Sequence, residues 1–525
     1  MISIGSHGMR ASQKQQITDH GVSNFYILEN NCLSKEGSGS ASGGTGTTLS
    51  LEEDNYFTLD SSSFSRAFSA CESPAVSISS SASPFSTTTL SFSDTSFSSE
   101  ITSQTKQKLR DIEISLVGHD AQSTTSHDFC FSNRSLNDAS LNWDDVARFY
   151  PKNTLQKVLM ACAQAVSILD WDKIDLLIKL LEQKVSVYGD PVERVGAYML
   201  EGLRARLEFT GSNIYKALKC DAPISADLFT YMSFLYQICP YWKFAYVSAN
   251  AAILNAIQNE SQIHVIDFQI AQGTQWLALI QSLSTRPGGP PTMRLTGVDD
   301  SQSAHARGGG LEIVAHRLAE FADRHGVPFV FHDAAISCGE VHTETLRLYH
   351  GEAVVVNFPF VLHHMADESV STRNHRDRLL RLVKSLSPKV VTLTEQESNT
   401  NTRPFYLRFV ETLDYYTAMF ESIDVARPRS DGQRVSAEQH CVARDIVNMI
   451  ACEDGDRVER HELFGKWQAR MRFAGFNQVR VGAPASDVVK IMLKDFDRNY
   501  RAELRDGALF LWWKNRAMAT SSVWC

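Results

Sequence analysis

The sequence predicts an α/β fold in which a doubly wound, Rossmann-like sheet carries an N-terminal helical cap and a C-terminal antiparallel hairpin, behind a disordered N-terminal tail. Three observations predict it. Apolar, strand-like runs alternate with helical segments from residue 263 onward, which is typical of a parallel sheet with crossover helices. The hundred residues before them show only helical periodicity, and Asp506-Gly507 separates two strand-like runs near the end of the chain.

The first 150 residues are expected to be disordered. Residues 34 to 100 are dominated by Ser, Thr and Gly, with isolated phenylalanines and almost no aliphatic periodicity. Such a segment cannot bury enough apolar surface to offset the entropy that it would lose on ordering. We favour an unstructured, phosphorylatable tail; short partner-binding anchors centred on the phenylalanines are the alternative.

The charge distribution excludes one class of function. The net charge is −9 and the chain contains no run of basic residues, so it lacks the electrostatic footprint of an autonomous nucleic-acid binder. Lys106, Lys108 and Arg110 are too sparse for a nuclear import signal. We therefore expect DNA contact to be indirect and nuclear entry to depend on a partner.

The cysteines and the hydropathy predict a soluble protein of a reducing compartment. The 10 cysteines include no Cys-x-x-Cys and no pair at metal-binding spacing, and no secretory signal precedes them. No apolar run approaches the roughly 18 residues that a membrane span needs. We expect packed thiols and no membrane contact.

The helical cap is predicted to begin near residue 153. Apolar residues recur every three or four positions from Leu155 to Leu169, with Asn153 or Thr154 as the N-cap. Later helices are predicted over Ile174 to Leu181, Pro191 to Phe209 with Gly211 as its stop, Asn213 to Lys219, Ala226 to Ile238, and Tyr241 to Asn259.

Five strands are predicted after the cap, and each ends in a polar or acidic residue. They cover Ile263 to Asp267, Met293 to Val298, Phe329 to Phe331, Ala353 to Asn357, and Val390 to Leu393. Right-handed crossovers place the carboxyl ends of such strands at one rim of a parallel sheet. Helices follow around Pro404 to Phe420, Ala437 to Ala451, and Val458 to Phe473.

The end of the chain is predicted to close the sheet with antiparallel strands. Phe476 to Val481 reads as a strand, and the two runs beside Asp506-Gly507 read as a hairpin because Asp-Gly favours a tight turn. A parallel sheet closed in this way is typical of methyltransferase-like folds. This analogy concerns the fold and not an activity.

The loop after the first strand is the place to look for a nucleotide cofactor. Doubly wound sheets bind ligands beside a strand-end carboxylate, and glycines let the loop backbone approach the cofactor. Here Asp267 is followed at alternate positions by Gln269, Ala271 and Gly273, and Asp299 stands where a ribose-binding carboxylate would. We interpret this strand as a scaffold and expect no cofactor. Asp267, Gly273 and Asp299 are the candidates if a nucleoside or methyl donor is bound.

Other catalytic and metal-binding patterns are weak. Asn357-Phe358-Pro359-Phe360 only partly resembles the Asn-Pro-Pro-aromatic motif of amino-methyltransferases. His363-His364, together with His332 and Asp333, raises the question of a metal, but adjacent histidines point apart and no third ligand has suitable spacing. We expect a solvated histidine pair and no metal site. The folded part has no Gly-x-Ser-x-Gly, so we expect no catalytic residue and no enzyme.

Two further motifs have both a packing and a partner interpretation. Leu177, Leu180 and Leu181 fit the Leu-x-x-Leu-Leu pattern of helices that dock in apolar grooves, but they also complete the buried stripe of a cap helix, which we favour. Arg457-Val458-Glu459-Arg460 is predicted to open a helix, with Glu459 at its positive N-terminal end. We favour structural ion pairs over partner contact for these charges.

In their order along residues 150 to 525, these motifs closely resemble the plant GRAS family of transcriptional regulators, in its scarecrow-like and phytochrome-A-signalling branch. Ile263, His264, Val265, Ile266 and Asp267 stand in the place of its VHIID signature. Its other signatures are represented by Pro404-Phe405-Tyr406 followed by Arg408, by Arg457, Val458, Glu459 and Arg460, and by Ser522, Val523 and Trp524, with Val for the usual Ala and with Trp512 where Gly is more usual.

The resemblance also implies a division of the chain. A variable region would cover 1–150 and a GRAS domain 151–525. Within the domain it implies five regions, namely leucine repeat I at 153–213, the VHIID region at 232–297, leucine repeat II at 313–345, the PFYRE region at 354–448 and the SAW region at 451–525.

The function that the resemblance implies is that of a transcriptional co-regulator in plant signalling and development, with light signalling as one setting. Its partners would be DNA-binding transcription factors and other GRAS proteins, in a homo- or hetero-dimer. It would work in the nucleus, with the cytoplasm as a second compartment. The alternative is a small-molecule-binding protein or an S-adenosylmethionine-dependent methyltransferase that uses the rim at Asp267 and Asp299.

Overall fold

The computed structural model describes residues 143–144, 153–209, 225–300 and 310–525. Nearly all of the region predicted to be disordered, and the helix predicted over Asn213 to Lys219 with the stop at Gly211, lie outside the described residues. All statements about the structure below concern the described part of the chain.

Five described helices form the cap, and the sequence predicted each of them within a few residues. They are α1 (Thr154–Ile168), α2 (Trp171–Glu182), α3 (Pro191–Leu207), α4 (Ser225–Ile238) and α5 (Tyr241–Ala256). The start of α3 is an example of a boundary that local residues determine. Asp190 accepts hydrogen bonds from the N–H groups of Val192 and Glu193, and the Glu193 carboxylate accepts one from the N–H of Asp190. This reciprocal capping satisfies donors that the first helical turn leaves unpaired.

The predicted doubly wound sheet is confirmed. Its parallel part has the strand order β3-β2-β1-β4-β5, the order of a Rossmann-like sheet. The strands are β1 (Gln262–Asp267), β2 (Thr292–Val298), β3 (Phe329–Ala334), β4 (Ala353–Pro359) and β5 (Val390–Gln396). Val265 pairs with Leu295 of β2 and with Val355 of β4. Every residue of β1 after Gln262 is buried, as expected of an apolar run without alternation.

Eight further described helices follow along the chain. They are α6 (Thr274–Ser284), α7 (Leu311–Arg324), α8 (His375–Ser385), α9 (Phe405–Ala426), α10 (Gly432–Ala437), α11 (Ala443–Ala451), α12 (Phe464–Phe473) and α13 (Ala483–Met492), and one π-helical turn at Glu438–Val442 joins α10 to α11. Residues Glu344–Leu346 form a single 3-10 turn. No described helix is long and apolar enough to cross a membrane.

The predicted hairpin is present, but one strand was missed. β7 (Tyr500–Arg505) and β8 (Ala508–Trp513) pair across Asp506 and Gly507, whose φ angles of 52° and 79° suit a tight hairpin turn. The missed strand is β9 (Arg516–Trp524), which runs antiparallel to β5 and connects the hairpin to the parallel sheet. Its last seven residues are all buried, so it lacks the alternation that would have revealed it. The strand predicted over Phe476 to Val481 is only β6 (Gln478–Val479).

Candidate functional site

The carboxylate at the end of β1 is fully engaged by its own surroundings. Asp267 accepts a hydrogen bond from the indole Nε1 of Trp276 over 2.7 Å and one from the backbone N–H of Gln269 over 3.2 Å. Burial raises the pKa of Asp267 to about 7 although these hydrogen bonds lower it. The side chain thus fixes the start of α6 to the strand, and both of its oxygens are committed to this contact.

The loop between β1 and α6 is shaped by packing. Phe268 stacks on Phe358 of β4 with ring centroids 4.6 Å apart. Gly273 has a φ of 69°, and a Cβ at this position would stand 2.9 Å from the Cγ1 of Val314. The glycine that looked like a cofactor residue is therefore required by its left-handed backbone and by the close approach of α7.

Asn357 belongs to a buried polar chain that joins four elements of the sheet and its helices. Its amide nitrogen donates to Gln275 over 3.0 Å, and its amide oxygen accepts from the hydroxyl of Thr392 over 2.7 Å. Gln275 in turn donates to Asn250 of α5 over 3.1 Å. Asn357 is thus used to tie β4, β5 and α6 together, and its amide is already paired where the partial methyltransferase motif would need it for a substrate amine.

His264 of the predicted signature also has a structural place. It is buried, and its two ring nitrogens lie 2.7 Å from Thr296 Oγ1 and 2.8 Å from the guanidinium of Arg294. Burial, reinforced by the charge of Arg294, lowers the pKa of His264 to about 3. A neutral ring that accepts from Arg294 therefore helps to hold β1 and β2 in register.

The histidine pair after β4 is not solvated as we expected. His363 is buried, and its Nδ1 lies 2.5 Å from Glu395 Oε2 at the end of β5. Its Nε2 lies 3.4 Å from Glu459, and Glu459 lies 3.4 Å from the Nε2 of His461. Burial disfavours a charged ring, but the two carboxylates outweigh it and raise the pKa of His363 to about 10. The expectation of a solvated pair was wrong for His363 because Glu459 and His461, which cover it, lie far away along the chain.

The segment that contains Glu459 does not open a helix, contrary to our prediction. Residues 457–463 belong to no helix or strand, the backbone is extended at Arg457 and Leu463, and the helix α12 begins only at Phe464. Arg457 donates to the carbonyl oxygens of Thr400 and Asn401 over 2.9 and 2.8 Å, and Arg460 donates to Asn401 Oδ1 over 3.2 Å. These hydrogen bonds to a distant part of the same chain take the place of intrahelical ones.

A second cluster of charges secures the far end of the same segment. Arg470 of α12 pairs with Glu462 over 2.6 Å and with Asp367 over 2.9 Å, and Asn401 donates to both carboxylates. Hydrogen bonds and the nearby arginine charges hold the pKa of Asp367 and of Glu462 below their usual range despite burial. The extended segment is therefore held firmly at both ends, with Glu459 and His461 between them.

A cavity of about 260 Å³ lies between the cap and the carboxyl rim of the sheet. Its walls are mainly apolar and come from α4, α5 and α9, while the rim contributes Gln269, Phe360 and Gln396. His363, His364 and Asp445 line its polar side. The cavity thus occupies the position at which doubly wound sheets bind ligands, beside the buried histidine cluster.

One protein family matches most of the chain. The model of the GRAS domain family matches residues 155–525. The chain belongs to the GRAS domain family. It is 55% identical over 489 residues to Scarecrow-like protein 13 of Arabidopsis thaliana, with 90% of this chain and 92% of that protein covered. It is 51% identical over 425 residues to the Scarecrow-like transcription factor PAT1 of the same plant, with 80% and 86% covered.

A solved structure extends the agreement to the fold. The crystal structure of SCL7 in Oryza sativa superposes with a TM-score of 0.62 at 33% identity and covers 71% of this chain and 99% of that one. The resemblance to the scarecrow-like GRAS proteins that the sequence predicted is confirmed. The chain is therefore a regulator of plant signalling and development that acts on transcription, and GRAS proteins are not known as enzymes.

The closing motif of this GRAS chain lies inside the sheet. Ser522, Val523 and Trp524 are all buried in β9, and the indole Nε1 of Trp524 donates to Ser522 Oγ over 2.9 Å. Trp512, where the family more usually has Gly, is half-buried beside the guanidinium of Arg501, 4.6 Å from its ring centre. The register of β8 against β9 shifts next to Trp512, so the extra indole is accommodated by a local irregularity.

The Leu-x-x-Leu-Leu motif of this GRAS chain is not on the surface. Leu177, Leu180 and Leu181 are at most 3% exposed and belong to the hydrophobic core that α2 shares with α1 and α3. Their burial supports the packing interpretation that we favoured. A partner could reach them only if α2 left the cap.

Sequence reasoning missed the importance of His363, His461 and Glu395. One signal was available, because the apolar run from Phe358 to Leu362 leads directly into His363, and a histidine at the end of such a run is often buried. The convergence of Glu459 and His461 on it had no signal in the spacing, since the contact joins residues nearly a hundred positions apart.

Proposed function

We propose that this GRAS chain is a transcriptional co-regulator that binds DNA-binding transcription factors and other GRAS proteins, as a homo- or hetero-dimer, and contacts DNA only through them. The net charge of −9 without a basic run supports indirect DNA contact. A relative that shares 51% of its residues over most of the chain is named a transcription factor, which supports action in the nucleus; cytoplasmic residence belongs to the same proposal.

The single observation that carries the proposal is an apolar corner at the junction of α1 and α2. We use this name for Ile168, Leu169 and Trp171, which are 61%, 62% and 55% exposed. Leu169 also has a φ of 57°, at a helix end where glycine is the residue that fits without strain. Large exposed apolar side chains beside a strained backbone are typical of a contact with another protein.

The apolar corner also gives a variant that separates binding from folding. Leu169→Gly removes the exposed side chain and relieves the left-handed backbone, so the free energy of unfolding should stay within about 1 kcal/mol of wild type. Recovery of DNA-binding transcription factors with the tagged chain from plant nuclear extracts, identified by mass spectrometry, should fall several-fold. Ile168→Asp should lower it too.

The control is Ile313→Asp on α7, since Ile313 is 58% exposed and lies outside the cap. The proposal fails if Leu169→Gly and Ile168→Asp recover the same transcription factors as wild type, or if the Ile313→Asp chain loses them equally. The proposal also includes the division of the chain into a variable region at 1–150 and a GRAS domain at 151–525 with five regions. Deletion of 1–150 should leave recovery by the GRAS domain unchanged.

A further inference from the structure

Three buried side chains from distant parts of the chain meet behind the cavity. They are His363 in the 3-10 turn after β4, and Glu459 and His461 in the extended segment before α12. One ligating atom of each, taken together, lies within 4.8 Å of the other two. The relative exposures of the three residues are 2%, 7% and 1%, so water is nearly excluded from the point where they meet.

The outer nitrogens of both rings are already occupied. The Nδ1 of His363 is 2.5 Å from Glu395, and the Nδ1 of His461 is 3.0 Å from Thr400 Oγ1. Both rings therefore present Nε2 to the carboxylate of Glu459. Metal-binding histidines are oriented in this way, with one nitrogen held by a carboxylate or hydroxyl and the other directed at the ion.

Two of the inward atoms lack the partners that burial demands. Glu459 Oε2 and His461 Nε2 have no hydrogen-bond partner among the described residues. A buried polar atom that is left unpaired costs about 1–3 kcal/mol, and here two such atoms from neighbouring side chains face the same point. The arginine contacts on both sides of the segment hold Glu459 in this position.

The spacing is compatible with zinc. Glu459 Oε2 is 3.4 Å from the Nε2 of His363 and 3.4 Å from the Nε2 of His461. Ligands at about 2.0–2.1 Å from a tetrahedral zinc ion stand about 3.3–3.4 Å apart. Two nitrogens and one carboxylate oxygen are also ligands that zinc accepts.

We propose that His363, Glu459 and His461 bind one zinc ion. His363 and His364 both line the cavity, and His364 Nε2 lies 3.3 Å from the other oxygen of Glu459. His364 or a water molecule from the cavity completes the coordination. The ion joins the turn after β4 to the extended segment and so fixes the polar wall of the cavity.

The test uses the full chain, purified without chelator and without a polyhistidine tag. Elemental analysis should find about one zinc per chain. After the zinc is removed, titration with Co²⁺ should give the intense visible bands of a four-coordinate nitrogen and oxygen site. Because the chain has 10 cysteines, a thiolate-to-cobalt charge-transfer band would show that the metal sits on cysteine and would overturn the assignment.

Variants identify the ligands. His461→Gln and Glu459→Gln should abolish stoichiometric binding, while the matched control His316→Gln, an exposed histidine of α7, should bind as wild type does. If the ligand variants do not fold, Thr400→Val decides, because loss of the outer hydrogen bond should weaken Co²⁺ binding about 10–100-fold in a folded chain. The proposal is wrong if wild type binds less than stoichiometrically, or if Thr400→Val binds as tightly as wild type. In that case a protonated His363 between Glu395 and Glu459 accounts for the cluster.

Discussion

Trp276 donates its indole N–H to the carboxylate of Asp267 over 2.7 Å, and this bond closes the loop that follows the first strand. In a nucleotide-binding sheet a carboxylate at this position would contact the ligand, but here it accepts hydrogen bonds from the protein itself. The other oxygen of Asp267 accepts a hydrogen bond from the backbone N–H of Gln269, so both oxygens face donors.

Asp267→Asn should destabilise the fold. An amide has only one oxygen, so its NH₂ must face either the indole or the backbone N–H, and the mismatch should cost about 1–3 kcal/mol. Urea unfolding at pH 8, followed by tryptophan fluorescence, measures the loss. The control is Asp323→Asn, since Asp323 is exposed on α7 and should be neutral. Equal stabilities of the two variants would show that the Trp276 contact is dispensable.

The rim should not bind S-adenosylmethionine. The loop presents Gln269 and Ala271 where a cofactor needs glycines, and Gly273 is explained by the approach of Val314. Isothermal titration of the full chain with S-adenosylmethionine should therefore give no binding heat. Micromolar affinity that disappears in Asp299→Ala would contradict this and restore the methyltransferase alternative.

Leu180→Asp should unfold the cap. Leu180 is 1% exposed in the core of α1, α2 and α3, so the substitution buries a charge in an apolar core, at a cost above about 4 kcal/mol. Lys179→Asp, one residue earlier on the exposed side of α2, introduces the same side chain and should melt near wild type. Circular-dichroism melts compare them. An unchanged Leu180→Asp melt would favour the groove-docking interpretation instead.

Glu201 should make stability depend on pH. Burial on α3 raises its pKa to about 7, and Glu201 Oε2 has no hydrogen-bond partner among the described residues. The folded pKa lies above the unfolded value of about 4.3, so ionisation costs the folded state increasing free energy as the pH rises through this window. Above pH 7 the cost is complete.

Glu201→Gln should therefore be more stable than wild type at pH 8, by about 3 kcal/mol, and gain little at pH 4.5. Chemical unfolding of both chains at the two pH values gives the difference. Glu312→Gln, at an exposed position on α7, should show no such dependence. A gain that is the same at both pH values would rule out ionisation of Glu201 as its cause.

The sequence by itself determined the order of the elements. Local rules suffice for the reciprocal cap at Asp190 and Glu193, for the apolar strand that ends at Asp267, and for the turn at Asp506-Gly507, because each depends on neighbouring residues alone. The family signatures also follow one another in a characteristic order along the chain, so the sequence alone was enough to recognise them.

The tertiary structure decided where the polar residues point and what they contact. Arg457 and Arg460 seemed to open a helix, but their hydrogen bonds to Thr400 and Asn401 hold the segment extended. His363 seemed solvated, but Glu459 and His461 arrive from far along the chain to bury it. β9 gave no period-two pattern because it is enclosed on both faces. In each case a contact between distant residues outweighs the local preference, and no spacing in the sequence records such a contact.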